Sequence, residues 1–122
     1  MATRSGTDPV LYEGVNERGS YQVYRVVGGH REDLDPRYDL ANHSPTGFSW
    51  GYEGSGPAQL ALAILADYMK DSPKALLIYQ DFKRAVVARL PGERWSLRGS
   101  EVEAGVRRAT RGAVGAQRGR DN

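Results

Sequence analysis

Residues 54–70 read Gly54-Ser55-Gly56-Pro57-Ala58-Gln59-Leu60-Ala61-Leu62-Ala63-Ile64-Leu65-Ala66-Asp67-Tyr68-Met69-Lys70. Proline suits the first position of a helix, where its missing N–H would have no partner anyway. A helix is therefore expected over 57–69, with Ser55 or Gly56 as its N-cap. Gln59 is the one polar side chain in its body before Asp67, so apolar residues occupy nearly every face. Such a helix is buried on most sides, or it is covered by a second subunit. The rest of the fold has to be built around it.

Downstream, Ser72-Pro73 repeats the start signal. Ala75, Ile78/Tyr79, Phe82 and Val86 then recur at helical spacing, opposite Lys74, Gln80, Asp81, Lys83 and Arg84. The pattern predicts an amphipathic helix over 73–90, stopped by Pro91-Gly92. Trp95 and Leu97 alternate within 94–98, a short strand. Ser100-x-x-Glu103 matches a capping box and predicts a short last helix over 101–110, weakened by Gly105. Residues 111–122 lack an apolar period and read as a disordered basic tail.

Upstream, 10–15 and 21–27 are rich in β-forming residues and read as a hairpin with a loop of four residues, Asn16 to Gly19. Gly28-Gly29 ends its second strand, and a further short strand fits 31–34. Phe48, Trp50 and Tyr52 alternate, which suits a short extended strand with three rings on one face. The expected fold is α+β, a small antiparallel sheet packed against the helices at 57–69 and 73–90. The expected division is a flexible 1–9, one domain over 10–110, and the tail. No internal repeat is present.

Composition excludes several classes. With no cysteine there is no disulfide framework, no thiolate nucleophile and no Cys-ligated metal. No apolar window reaches the ~18 residues of a membrane span, and residues 1–8 lack the apolar core of a signal peptide. A cytoplasmic protein without a membrane anchor is expected. Residues 107–122 hold five arginines against Asp121, net +4, so the remainder carries −2 of the overall +2. The tail is thus the only part whose charge suits nucleic acid, and a solubilising tail is the favoured reading. His30 and His43 lie thirteen residues apart, which gives no tight metal spacing. Glu32, Asp33 and Asp35 read as a solvated acidic loop rather than a loose Mg²⁺ site.

The densest stretch is 42–59. Gly54-Ser55-Gly56 precedes a helix, where free N–H groups and the helix dipole favour an anion. Trp50 and Tyr52, with Phe48, offer a stacking surface for a base. His43, Ser44 and Gln59 offer directional hydrogen bonds, and Lys83 or Arg84 offers a cation within reach. The bland reading stands beside this one: Gly-Ser-Gly-Pro is a stop-and-start signal between two elements, and alternating aromatics commonly pack on a core. The spacing matches no standard phosphate loop. A Ser55/His43 pair oriented by Asp35 or Asp39 would suit acyl transfer, but Ser55 lacks the Gly-x-Ser-x-Gly context. No cofactor is indicated.

The run Asn42-His-Ser-Pro-Thr-Gly-Phe-Ser-Trp-Gly-Tyr-Glu-Gly-Ser-Gly-Pro-Ala-Gln-Leu-Ala-Leu-Ala-Ile-Leu65 resembles the signature of a family of small uncharacterised proteins from bacteria, archaea, plasmids and phages. The resemblance extends from about Leu11 to Val106 and includes 79–83 and Trp95. It implies a mobile-element setting and no catalytic residue. The leading expectation is a non-enzymatic binding module for a small anionic ligand, such as a nucleotide, at His43, Ser44, Trp50, Tyr52, Gly54, Ser55, Gly56 and Gln59. The alternatives are a mobile-element protein that binds a protein or nucleic acid, and a small hydrolase using His43 and Ser55. A homodimer is permitted by the apolar helix, and a buried core helix explains that helix equally well.

Overall fold

The computed structural model describes residues 9–120. The fold is α+β, with strands β1 (Val10–Glu17), β2 (Ser20–Val27), β3 (His30–Asp33) and β4 (Arg94–Arg98). The helices are α1 (Ser55–Met69), α2 (Ser72–Ala85) and α3 (Gly99–Arg120), with a 3₁₀ turn at Val87–Arg89. The sheet is antiparallel in the order β3-β2-β1-β4.

The hairpin is tighter than the expected four-residue loop. Its turn is Arg18-Gly19, both at positive φ (55° and 86°), the geometry whose twist matches that of paired strands. Asn16 Oδ1 accepts from Gly19 N at 3.0 Å and holds the turn. Gly28-Gly29 makes a second such turn into β3. Opposite pairs Tyr12↔Arg25, Gly14↔Val23, Tyr12↔Leu97 and Gly14↔Trp95 share the face toward the helices. A Cβ on Gly14 would overlap the Trp95 indole, so glycine is what lets that ring lie flat on the strand.

Helix α1 is the centre of the core. Every residue from Gly56 to Ala66 is buried, within a single chain, so no second subunit is needed to cover it. It starts two residues earlier than expected, with Gly54 at the N-cap. In α2, Ala75, Ile78 and Phe82 are the buried stripe, as the periodicity predicts. Its cap is not Ser72 but Asp71, whose carboxylate accepts from Lys74 N at 3.1 Å. The helix ends at Ala85 instead of 90, because the 3₁₀ turn lets Val87 bury while Gly51 N donates to Val87 O at 3.1 Å.

Helix α3 differs most from expectation. It begins at Gly99, and the carboxylate that reaches back is Glu101, accepting from Arg98 N at 2.8 Å; Glu103 instead accepts from Tyr68. It also continues through the expected disordered tail to Arg120; Asp121 and Asn122 lie outside the described residues, as do Met1 to Asp8. No proline interrupts 99–120, and alanine and arginine are good helix formers, which offsets its glycines. Gly105 is explained by packing: a Cβ there would stand 2.6 Å from Phe82 Cε1 and 2.8 Å from Val86 Cγ2. Glycine lets α3 close on α2.

Two glycines of α3 therefore respond oppositely to alanine. Gly105→Ala gains about 1 kcal/mol of helix propensity but forces overpacking that costs about 1–3 kcal/mol, and lowers stability. At Gly112 the new Cβ would meet Asp81 at an ordinary 3.7 Å, so Gly112→Ala raises stability by up to about 1 kcal/mol. Urea denaturation of the two variants measures both signs.

Candidate functional site

The 42–59 segment separates into a buried part and an exposed part. Gln59 is fully buried one turn into α1. Its Oε1 accepts from His43 N at 2.7 Å and Ser44 N at 3.3 Å, and its Nε2 donates to Pro36 O at 2.7 Å and Ala41 O at 3.0 Å. The amide is thereby committed to the backbone of the 36–44 loop. Ser44 is buried, and Ser44 O accepts from Tyr38 OH at 2.8 Å. His43 Nε2 lies 2.6 Å from Tyr79 OH, which ties the same loop to α2. Among the described residues no hydrogen bond joins His43 to Ser55, and the Nε2 that a hydrolase would use is occupied by the Tyr79 hydroxyl.

Trp50 is also architectural. It is 2 % exposed, its indole N–H donates to Gly92 O at 3.2 Å, and it stands edge-on to Tyr21 and Trp95. The expected strand at 48–52 does not form. Gly47 and Gly51 adopt φ of 107° and 86°, conformations outside any strand, and these turns send the rings apart. Phe48 packs against the core, Trp50 enters it, and Tyr52 stays half exposed.

The exposed part gathers around the start of α1. Tyr52 OH and Ser49 Oγ are 2.8 Å apart, and Ser49 covers Gly56 so closely that a Cβ there would overlap its hydroxyl. No side chain caps the helix. Lys83 reaches this end, with Nζ 3.8 Å from Glu53 and only 11 % of its side chain exposed. Arg84 turns to Asp81 instead, at 2.6 Å. Ser49 carried no signal in the sequence, because a serine between two aromatics has no distinctive spacing. In the acidic loop Glu32 bonds Arg25 and Asp35 accepts from Arg37 N, and among the described residues no three His, Asp or Glu converge as a metal site.

The opposite end of α1 carries a constellation that sequence reading missed. A groove of about 560 Å³ opens where β1, the end of α1 and the start of α3 meet. Val10 and the half-buried ring of Tyr68 line it, above a fully buried Tyr12. At its edge Asp67 Oδ2 accepts from Tyr12 OH at 2.6 Å and from Arg25 Nε at 2.9 Å, and Arg25 Nη1 donates to Glu32 at 2.9 Å. Lys70 Nζ is 3.6 Å from Asp67, and Tyr68 OH donates to Glu103 at 3.0 Å. Arg98 and Ser100 complete the rim. Burial, and next the Asp67 carboxylate, push the Tyr12 hydroxyl far above the ordinary phenol range. The hydrogen bond to Asp67 raises Arg25, and burial raises Tyr68. These residues come from six elements, β1, β2, β3, α1, β4 and α3, so no local motif announces them. A second hollow, of about 710 Å³, lies by the β1–β2 turn, lined by Glu17, Arg18, Glu93 and Arg94 without any aromatic residue.

Two measurements test these assignments. Gln59→Leu keeps the bulk but strands two loop N–H groups and two carbonyls, each costing about 1–3 kcal/mol if it stays dry. The loss should lower the melting temperature by ten degrees or more, at roughly 3–6 °C per kcal/mol. Tyr12 has a folded pKa raised above its unfolded value, so its contribution is complete below pH ~10 and is lost as the unfolded chain ionises above that. Stability should fall with pH in that range by up to about 1.4 kcal/mol per unit, less steeply in Tyr12→Phe; equal slopes would contradict the buried phenol.

No curated protein and no solved structure matches this chain. The family model that does match covers residues 12–108, so it spans β1 to the first half of α3, including both ends of α1. The chain belongs to DUF6166, a family of unknown function.

Proposed function

We propose that the protein is a non-enzymatic binding module for a small anionic ligand with an apolar body, a nucleotide being one such molecule, seated in the groove at the end of α1. One observation carries this reading: the groove joins the half-buried Tyr68 ring and Val10 to cations that carboxylates leave largely free. Arg25 is neutralised by Asp67 and Glu32. Lys70 is 70 % exposed, with only the 3.6 Å contact to Asp67, and Arg98 has no ion-pair partner among the described residues. The backbone at Gly99 and Ser100 opens α3, whose dipole favours negative charge at that end. A concavity of this size with few convergent polar groups fits a drug-sized ligand.

A second reading keeps the ligand class and moves it to the start of α1. It is favoured by the uncapped first turn and by Lys83, held mostly buried beside it. Glu53 on the same loop offsets Lys83 there, whereas the groove adds Lys70 and Arg98 to Arg25 against its own Asp67 and Glu103, which is why the groove is preferred.

A thermal-shift screen against nucleotides, sugar phosphates and aryl carboxylates separates the two. A ligand at 100 times its dissociation constant stabilises by about 2.7 kcal/mol, a rise of roughly 10 °C for a domain of this size. The groove reading expects that rise to vanish in Lys70→Glu/Arg98→Glu and to survive in Ser55→Trp. The converse pattern assigns the ligand to the start of α1. No shift with any compound overturns both.

A further inference from the structure

Strand β3 ends the sheet, and all four of its residues are exposed. Its pairing with β2 determines which backbone groups face outward. Leu34 N donates to Val23 O at 3.0 Å, in register with Arg25↔Glu32 and Val27↔His30. Hydrogen-bonded pairs alternate along an antiparallel ladder, so His30, Glu32 and Leu34 bond inward. The N–H and C=O groups of Arg31 and Asp33 therefore point away from the sheet, and among the described residues no backbone group takes them up.

We infer that this edge pairs with the same edge of a second copy of the chain, forming a two-fold dimer with one continuous antiparallel sheet. The argument is charge complementarity, which selects one of the registers that the geometry allows. A two-fold axis normal to the sheet keeps each face continuous and pairs only residues of like parity. Centred on Glu32, it sets Arg31 opposite the partner's Asp33 and Asp33 opposite the partner's Arg31. Both pairs use the outward backbone groups, giving two hydrogen-bonded pairs with opposite charges directly across. Centring on Arg31 or on Asp33 would oppose like charges instead. The two Glu32 side chains would face each other on the helix side, but each is already neutralised by its own Arg25 at 2.9 Å.

Two further observations agree. The Arg31 guanidinium lies 3.8 Å from the centre of the Tyr24 ring, which holds it on the outer face where the partner's Asp33 would stand. At the other edge, the exposed positions of β4 are Arg94, Ser96 and Arg98, and a two-fold pairing centred on Ser96 would set arginine against arginine. One edge is thus self-complementary and the other self-repelling. The contact is short, so the association should be concentration-dependent rather than permanent. It does not depend on the ligand reading.

Sedimentation equilibrium from micromolar to millimolar protein tests it. The native chain should pass from monomer to dimer mass. Arg31→Asp and Asp33→Arg should each remain monomeric, since each sets two like-charge pairs across the axis. An equimolar mixture of those two variants should recover the dimer as a mixed species, and the double swap R31D/D33R should recover it alone. In the unsubstituted protein, the amide hydrogens of Arg31 and Asp33 should exchange more slowly at high concentration than at low. A native chain that stays monomeric, single variants that associate as well as the native chain, a mixture that stays monomeric, or exchange rates independent of concentration would each overturn the inference.

Discussion

The carboxamide of Gln59 holds the packing problem of this fold together. Helix α1 is buried on every side from Gly56 to Ala66, yet the sheet and two helices do not enclose its N-terminal half alone. The remaining cover is irregular chain, residues 35–54, whose backbone N–H and C=O groups have no ladder to satisfy them. Buried backbone groups without partners are costly. Gln59 answers with one side chain that accepts from two N–H groups and donates to two carbonyls. His43 with Tyr79, and Trp50 with Gly92, extend the attachment to α2 and to the turn before β4.

The other end of α1 is attached by charge. Asp67 is the point where β1 and β2 meet the helix, through Tyr12 and Arg25. A partly buried ion pair is weak evidence of net stability, because desolvation consumes much of the Coulomb attraction. Here the remaining oxygens and hydrogens have partners in Tyr12, Lys70 and Glu32, so the network is closed rather than half satisfied. The same closure leaves the Tyr68 ring beside it partly open to solvent in a groove. A fold that needs its central helix tied at both ends thus carries polar surface at both ends.

Close approach is the third constraint. The Trp95 ring lies on Gly14, Phe82 on Gly105, and Ser49 on Gly56. In each case a glycine that weakens its own strand or helix admits a contact between elements. Local propensity and tertiary packing pull in opposite directions at these positions, and packing wins because each contact belongs to a core shared by several elements.

The amino-acid sequence by itself determined the α+β class, the buried character of α1, the amphipathic stripe of α2 and the strands of the sheet, because these rest on periodicity and on glycine and proline, which act within a few residues. It also marked 42–59 as unusual. What it could not convey is what those residues do. A buried glutamine that clamps a loop and an exposed one that binds a ligand look alike in a chain, and only the positions of Pro36, Ala41, His43 and Ser44 around Gln59 distinguish them. Likewise Phe48, Trp50 and Tyr52 alternate in sequence, but positive φ at Gly47 and Gly51 directs them to separate surroundings. The groove and the outward backbone of β3 were decided by tertiary structure alone, since each arises where residues far apart in the chain meet, and local pattern carries no record of such a meeting.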